Sequence, residues 1–341
     1  MNVVLFGAGA VGRGLLAPLF CRAGHAVTFF ETNAWIVSEL CRRTYIPTRT
    51  SPTSDIVFVG PCRALNPNPS ADEYGEALDK YVEISDQIIA KADLIVISVR
   101  VENMPEAAES LAVALPRRDR SLPPVPIWVC ENTPNAAGKF ETMVDSDHVR
   151  AIYRSAIAET VVPEMPSDLR KVDPLLAYVD PRGYLAVDDG EAEIGKRNPY
   201  IKGVAYSSNF AFDWDLKWYC HCSLHAVVAF LGMKAGHTFI HEATGDKVIR
   251  AKADKMMEIV RERLSSKHGD FNVGGITFNR IEREWRQLSD PTRPDLCSRV
   301  ARDAARKVQP GERLMDALAL VGGKNAVIEE AIEFAKEFSG I

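Results

Sequence analysis

Residues 2–33 read NVVLFGAGAVGRGLLAPLFCRAGHAVTFFETN, and this stretch decides the fold. It begins with an apolar run over residues 2–6, of the kind that forms a buried parallel strand. The glycine motif GAGAVG follows, and apolar residues then recur at helical spacing as far as Gly24. A second apolar run, 26–30, is followed at once by Glu31. This order of strand, glycines, helix, strand and acid predicts the first unit of a doubly wound Rossmann sheet.

The glycine motif has the spacing of a dinucleotide-binding loop, although a glycine turn in some other α/β protein remains the alternative. Gly7 permits the tight turn, Gly9 lets a pyrophosphate approach the backbone, and Gly12 lets the helix pack closely on the sheet. The helix N-terminus adds unpaired N–H groups and a positive dipole. The residues predicted to bind the cofactor are Gly7, Gly9, Ala10, Val11, Gly12, Arg13, Glu31, Asn33 and Asn103.

The acidic residue after the second strand indicates which dinucleotide is bound. Glu31 lies 19 residues past Gly12, where a carboxylate accepts hydrogen bonds from both ribose hydroxyls of an adenosine. The same charge repels a 2′-phosphate, so NAD is favoured over NADP. Arg13, just inside the helix, is expected to soften that preference, and Asn33 is expected to face the adenosine.

Further strands and a change of character divide the chain into two predicted domains. Buried strands are predicted over 92–99 and 125–130, and residues 44–80 form an irregular insertion with short strands. Asn103 and Asn132 follow strand ends, where cofactor and substrate meet in a doubly wound sheet. We therefore predict an α/β fold.

The predicted boundary lies near residue 200. Residues 1–200 form a Rossmann-type NAD-binding domain, and residues 201–341 form a mostly α-helical domain for substrate binding and catalysis. Helical patterns in the second domain cover residues 213–234, 237–264, 275–289, 294–307 and 323–338.

The first of these helices carries a cluster of reactive side chains. At about 100° per residue, Lys217, His221 and His225 fall within one face, and Cys222 lies roughly 140° from Lys217. A lysine acts as a general base when burial or neighbouring cations favour its neutral form. From the residues alone, a lysine that reaches out to water is the favoured alternative. A zinc site that includes Cys220 is a weaker one, because Cys220 and Cys222 lie on opposite sides of a helix.

Composition and charge exclude several classes of protein. The 341 residues are 46% hydrophobic and 26% charged, with a formal net charge of −5, which excludes disorder and a basic surface for nucleic acid or membrane. Seven scattered cysteines and the lack of a secretory leader predict a cytoplasmic protein with free thiols. No apolar run approaches the roughly 20 residues that span a bilayer. A small molecule is the expected partner.

Four separated motifs resemble those of the polyol-specific long-chain dehydrogenase/reductase family. FGAGAVGRG at 6–14 is similar to the family's FGAGNIGRG loop, and residues 130–132 resemble its CEN or CDN strand end. The segment 217–225 resembles its signature, in which asparagine follows the lysine by five residues and histidine follows it by eight. Residues 299–307 and 310–314 resemble its RVARDPxRKL…P…RL stretch.

This resemblance implies a metal-independent, NAD-dependent oxidoreductase acting on a CH–OH group. Lys217 would be the general base, His225 would orient it or hold a substrate hydroxyl, and Asn132 would donate to the reacting oxygen. Cys222 stands where the family has asparagine and is a weaker donor. The resemblance also favours a monomer.

The resemblance leaves the substrate open. Arg299, Arg306 and Lys307 would suit a phosphate or a polyhydroxylated chain, and salt bridges with Asp303 and Glu312 are the alternative role. Mannitol 1-phosphate with fructose 6-phosphate is the substrate pair we expect. The alternatives are an unphosphorylated polyol, a keto sugar acid, or a non-catalytic NAD-binding member of the family.

Overall fold

The computed structural model of the chain consists of two compact units, Met1–Phe210 and Ala211–Ile341. The residues that it describes are 1–51, 54–70, 72, 75–144, 148–160, 173, 175–181, 183–189, 198–269, 273–292 and 294–341. Within these ranges, every helix is too short or too polar to cross a bilayer.

An eight-stranded sheet forms the centre of the first unit. Its strands are β1 (Asn2–Phe6), β2 (Ala26–Phe30), β5 (Cys62–Leu65), β6 (Leu94–Ile97), β7 (Val125–Val129), β8 (Ala151–Glu159), β10 (Tyr184–Asp188) and β11 (Val204–Ser207). They lie in the order β11-β10-β8-β7-β6-β1-β2-β5. Pairing is parallel from β5 through to β8, and β10 is antiparallel to β8. The chain thus reverses its strand order at β1, which is where doubly wound sheets bind ligands.

Both faces of this sheet are covered, which explains the continuous apolar runs. On β1, Val3 and Leu5 belong to one buried cluster, while Val4 and Phe6 belong to another. Successive strand residues point to opposite faces, so a strand covered on both sides needs apolar residues throughout. The covering helices are α1 (Ala17–Arg22), α2 (Ala34–Arg43), α3 (Leu78–Ala90), α4 (Met104–Ala114) and α5 (Ala136–Val144).

The insertion at residues 44–80 contributes strands to two sheets. β3 (Ile46–Arg49) pairs with β4 (Val57–Val59) and with β9 (Ala177–Tyr178) in a small three-stranded sheet. β5 instead extends the main sheet beside β2, so part of the insertion completes the edge nearest the glycine loop.

The second unit is helical. It contains α6 (Phe210–Asp215), a π-helix at Leu216–Ser223, α7 (Leu224–Lys234), α8 (Ile240–Gly245), α9 (Lys247–His268), α10 (Val273–Leu288), α11 (Cys297–Val300), α12 (Ala304–Lys307), α13 (Arg313–Leu320) and α14 (Ala326–Ser339). Every residue from Leu224 to Gly232 is buried, as expected for a helix surrounded by others.

The predicted fold class, a Rossmann sheet followed by a mostly helical part, is confirmed. Two helix predictions need correction. The segment 294–307 is two short helices, separated where Asp303 adopts a left-handed backbone (φ 56°). The segment 237–264 is divided at Asp246, whose carboxylate accepts hydrogen bonds from Val248 and Ile249 and begins α9.

Candidate cofactor site and catalytic helix

The backbone of the glycine loop is packed so closely that side chains are excluded at two of its positions. Gly7 has φ +95°, and a Cβ there would lie 2.3 Å from the carbonyl oxygen of Ser98. A Cβ on Gly12 would lie 2.2 Å from the carbonyl oxygen of Gly7. Gly9 differs, because a Cβ there would meet no atom within 4 Å. Gly7 and Gly12 therefore shape the loop, while Gly9 leaves open space beside it.

That open space belongs to a cleft of about 190 Å³ at the carboxyl end of the sheet. Four of the predicted cofactor-binding residues line it, namely Gly7, Gly9, Glu31 and Asn103. Thr32, Ser98, Val99 and Arg100 also line it, and each lies within three residues of the end of β2 or β6. Strand-end residues of this kind face the ligand in a doubly wound sheet.

Glu31 holds the loop as well as facing the cleft. Its Oε2 accepts a hydrogen bond from the backbone N–H of Ala8 at 2.8 Å, and its Oε1 accepts one from Asn33 at 2.9 Å. An ionised carboxylate has about four acceptor positions, so two stay available for ribose hydroxyls. The residues present thus fit the adenosine end of a dinucleotide.

The remaining predicted cofactor residues form hydrogen bonds within the protein or belong to the first helical turn. The Arg13 guanidinium donates to the carbonyl oxygens of Ala8 and Leu175, at 2.7 and 3.0 Å. The Asn33 side chain accepts from Ile36 N–H at 3.2 Å and begins α2. Ala10 and Val11 form the first helical turn after the loop.

Asn132 comes three residues after β7 and is half-buried. The chain just after β7 is held to β6, because the Cys130 N–H donates a hydrogen bond to the carbonyl oxygen of Ile97 at 2.8 Å. Asn132 thus follows a strand end of the main sheet, as its position in the sequence predicts.

In the second unit, Lys217 lies on a π-helix, a conformation often found at functional sites. Hydrogen bonds in a π-helix join residues five apart, so Cys222 turns towards the face that Lys217 occupies. The angle of about 140° expected for a regular α-helix is therefore wrong. Ser223 helps to fix this segment, because its hydroxyl lies within hydrogen-bond distance of the carbonyl oxygens of Trp218 and Arg313.

Lys217 is only 5% exposed, so the alternative of a lysine extended into water is wrong. Its Nζ lies 5.5 Å from the ring centre of Trp214. Trp214 in turn stacks on Trp218 at 5.5 Å. The side chain of Lys217 is thus buried in the second unit beside a stacked pair of tryptophans.

His225 is joined to the predicted basic cluster through a carboxylate that the sequence analysis missed. Its Nε2 lies 3.1 Å from Oδ2 of Asp295, and both oxygens of Asp295 accept hydrogen bonds from Arg299. Burial lowers the pKa of His225 and favours its neutral form. Burial alone would raise the pKa of Asp295, but the hydrogen bonds from His225 and Arg299 outweigh it and lower the pKa to about 2.

We expect Asp295→Asn to lower the free energy of unfolding by about 2 kcal/mol at pH 6. The Asp295 pKa of about 2 lies below its ordinary value of 3.8, so its ionised form stabilises the fold. That contribution is complete above about pH 4 and is lost as the pH falls towards 2. Urea unfolding at pH 6 and at pH 3 measures it, and an equal difference between the two proteins at both values would contradict this account.

A second buried carboxylate binds His221. Glu284 on α10 is fully buried, and its Oε2 lies 2.7 Å from Nδ1 of His221. Arg280 Nε is 2.6 Å from the other oxygen. Burial opposes ionisation, but the charges of His221 and Arg280 lower the pKa of Glu284 to about 2. Arg280 and Glu284 occupy core-facing positions of the helical pattern, which is the signal that could have identified them.

The zinc alternative is not supported around Cys220. Its side chain is fully buried in the apolar core of the second unit, and burial strongly raises the pKa of the thiol. A zinc ligand is a thiolate, which this environment disfavours.

The three basic residues near the C-terminus have different surroundings. Arg299 binds Asp295, and Arg306 binds Glu312 at 2.6 Å, which is the salt bridge that the alternative role predicts. Lys307 is 4% exposed and donates to the carbonyl oxygen of Arg302. Burial, helped by the charges of Arg313 and Arg306, lowers the pKa of Lys307 to about 7.

A Rossmann sheet with this glycine loop and carboxylate defines a dinucleotide-binding protein. Residues 1–193 match the family described as the mannitol dehydrogenase Rossmann domain. The chain therefore belongs to the mannitol dehydrogenase family, and the resemblance drawn from its motifs is confirmed.

Individual relatives agree with this placement. The chain is 28% identical over 327 residues to mannitol-1-phosphate 5-dehydrogenase of Brevibacillus brevis, covering 92% of this chain and 79% of that one. Among solved structures, the fold resembles Pseudomonas fluorescens mannitol 2-dehydrogenase in complex with NAD and D-mannitol (TM-score 0.68, 12% identity, 94% of this chain and 77% of that one). It also resembles substrate-free D-sorbitol dehydrogenase (TM-score 0.71, 14% identity, 98% and 80%).

Proposed function

We propose that the chain is an NAD-dependent oxidoreductase that moves a hydride between nicotinamide and a sugar alcohol or its phosphate. Mannitol 1-phosphate and fructose 6-phosphate are the substrate pair we favour. The observation that carries this proposal is the buried Lys217 on the π-helix of a mannitol dehydrogenase family member. Relatives named mannitol-1-phosphate 5-dehydrogenase, two of them at 28% identity, support the choice of substrate.

The cofactor site is assigned to the first unit, and residues 1–200 are its proposed domain. Gly7 and Gly12 keep the loop backbone in place, Gly9 leaves room for the pyrophosphate, and Glu31 accepts the ribose hydroxyls. Bound nicotinamide supplies the site that accepts or returns the hydride. Asn103 lines the same cleft, and Arg13 maintains the shape of the loop by binding two carbonyl oxygens.

Proton transfer is assigned to the helical unit, and residues 201–341 are the proposed substrate and catalytic domain. Lys217 takes the proton from the reacting hydroxyl during oxidation and returns it during reduction, with no metal ion. His225 is neutral and held by Asp295, so it is suited to position Lys217 or a substrate hydroxyl. Asn132 is the proposed donor to the oxygen that gains charge.

Substrate binding is assigned to Arg299, Arg306 and Lys307. Lys307 is buried with a pKa lowered to about 7, so a phosphate group nearby would favour its charged form. Arg306 retains half of its surface exposed beside Glu312, so it is available to a ligand. We also propose a monomer that works in the cytoplasm, in keeping with seven cysteines that are all in the thiol form.

The test is the oxidation of NADH, followed by absorbance, with fructose 6-phosphate, fructose, xylulose, tagaturonate and fructuronate, and with NADPH in parallel. We expect turnover with fructose 6-phosphate and NADH. Turnover only with a free ketose or a keto acid would show that the substrate is an unphosphorylated polyol or a keto sugar acid instead of a sugar phosphate. Tight binding of NADH without turnover on any compound would indicate a non-catalytic member of the family.

Glu31→Gln is expected to weaken NADH binding about tenfold and to reduce the preference for NADH over NADPH. The change keeps the shape of the side chain and removes the charge that repels a 2′-phosphate. Fluorescence titration with each cofactor measures both effects. Glu141→Gln, an exposed change on α5, is the matched control. An unchanged cofactor preference would place the ribose away from Glu31.

Cys222→Asn is expected to raise kcat on the preferred substrate several-fold. An amide donates a stronger hydrogen bond than a thiol, and the π-helix turns this position towards Lys217. Steady-state kinetics with the substrate found above measure the change. Cys222→Ser, which keeps the size of the side chain and offers a hydroxyl donor, is the intermediate control. A fall in kcat would mean that the thiol suits another substrate.

A further inference from the structure

Two cysteines of the first unit lie in contact outside the cofactor cleft. The sulfur atoms of Cys21 and Cys62 are 3.6 Å apart, although the residues are separated by 41 positions in the chain. Cys21 is half-buried near the end of α1, and Cys62 is the buried first residue of β5. The fold therefore brings one accessible thiol against one protected thiol.

The two thiols differ in reactivity. The hydrogen bond from Cys62 lowers the pKa of Cys21, against the opposing effect of partial burial. The same contact, together with burial, raises the pKa of Cys62. The thiolate is the nucleophilic form of cysteine. Cys21 is therefore the residue that reacts first with an oxidant, and Cys62 is the resolving cysteine.

We propose that Cys21 and Cys62 are a redox-active pair that forms a reversible disulfide when the protein meets hydrogen peroxide. The Cys21 thiolate attacks one peroxide oxygen, which gives a sulfenic acid and hydroxide. The Cys62 sulfur then displaces the sulfenic hydroxyl, forming the S–S bond. Across both steps two thiols lose two electrons and two protons, and one peroxide becomes two molecules of water.

The geometry requires little movement. A disulfide has sulfur atoms about 2.05 Å apart, so the two must approach by about 1.5 Å, within the range of side-chain rotation. The bond would join α1, which follows the glycine loop, to β5 on the edge of the sheet. β5 ends at Leu65, whose carbonyl oxygen accepts the N–H of Glu31 at 3.0 Å. Oxidation would thus fasten the edge of the sheet that carries the cofactor carboxylate.

A third thiol of the first unit, that of Cys41, has different surroundings from the Cys21–Cys62 pair. Cys41 on α2 is exposed, and its sulfur donates to the carbonyl oxygen of Ala64 at 3.0 Å. An exposed thiol without a neighbouring sulfur is oxidised to the sulfinic state, whereas a resolved sulfenic acid is protected from it. Cys41 is therefore a control for oxidation that depends only on exposure.

The experiment treats the full-length protein with a small excess of hydrogen peroxide and then maps its peptides by mass spectrometry under non-reducing conditions. We expect one linked peptide pair containing Cys21 and Cys62, a loss of 2 Da, and recovery of both thiols with dithiothreitol. The oxidised protein should melt about 5 °C higher than the reduced one, because the bond closes a loop of roughly 40 residues.

Variants distinguish the pair from accidental oxidation. Cys21→Ser should lose both the link and the rise in melting temperature, while Cys41→Ser should retain them. Cys62→Ala should also lose the link. If that variant fails to fold, the peptide map of the unaltered protein still tests the proposal. A Cys21 sulfinic acid without a link, or a link through Cys41, would overturn the proposal.

Discussion

Lys217→Met is expected to lower kcat about a thousand-fold on the preferred substrate while the Kd for NADH stays within a factor of two. General acid–base catalysis by a positioned side chain contributes 10² to 10⁴ in rate, so loss of the base removes about that much. Methionine has a similar length and packs against Trp214 without a charge. The change therefore separates the proton-transfer role from a packing role. Stopped-flow hydride transfer and a binding titration measure the two quantities.

The control for this experiment is another lysine of the same unit. Lys234→Met, at the end of α7, removes an ion pair with Glu330 and should leave kcat unchanged. A second test uses Lys217→Ala, which opens space beside Trp214. Added methylamine should restore part of its activity, because a small amine can accept the proton in place of the side chain. Normal turnover by a folded Lys217→Met protein would remove Lys217 from the mechanism.

The glycine loop and the candidate cofactor cleft beside it can be predicted largely from local sequence. The close packing at Gly12 and the carboxylate at Glu31 are properties of one βαβ unit, whereas the turn at Gly7 also packs against the carbonyl oxygen of Ser98 after β6. The contacts of Gly12 and of the Glu31 carboxylate lie within the unit formed by the paired strands β1 and β2. The edge strand β5 also depends on a more distant part of the chain, residues 44–80, whose sequence pattern is irregular.

The helix that carries Lys217 is less predictable from sequence because its geometry depends on tertiary packing. Nothing in the local sequence distinguishes a π-helix from an α-helix, so the position of Cys222 was wrong. Asp295 and Glu284 reach His225 and His221 from separate segments of the second unit. Each carboxylate is far in sequence from the histidine that it contacts, so neither pair can be predicted from spacing. The position of Glu284 on the core-facing side of its helix is nevertheless a signal that the sequence contains.

Single methyl groups in the glycine loop should separate its two roles. Gly12→Ala places Cβ 2.2 Å from the carbonyl oxygen of Gly7, a clash that only backbone movement relieves. We expect it to destabilise the fold by about 3 kcal/mol and to abolish NADH binding. Gly9→Ala meets no atom within 4 Å, so its melting temperature should stay unchanged. The added methyl enters the cleft, and we expect NADH binding to weaken about 30-fold, in line with the close approach that this glycine permits.

Thermal unfolding and fluorescence titration of the two variants decide between a structural and a binding role. Gly245→Ala is the matched control, since that glycine has open space around it and lies in the helical unit. It should alter neither property. If Gly9→Ala bound NADH as tightly as the unaltered protein, the pyrophosphate would lie away from this loop. If Gly12→Ala folded normally and still bound NADH, the loop would have another arrangement available, and its close packing would not be what forms the site.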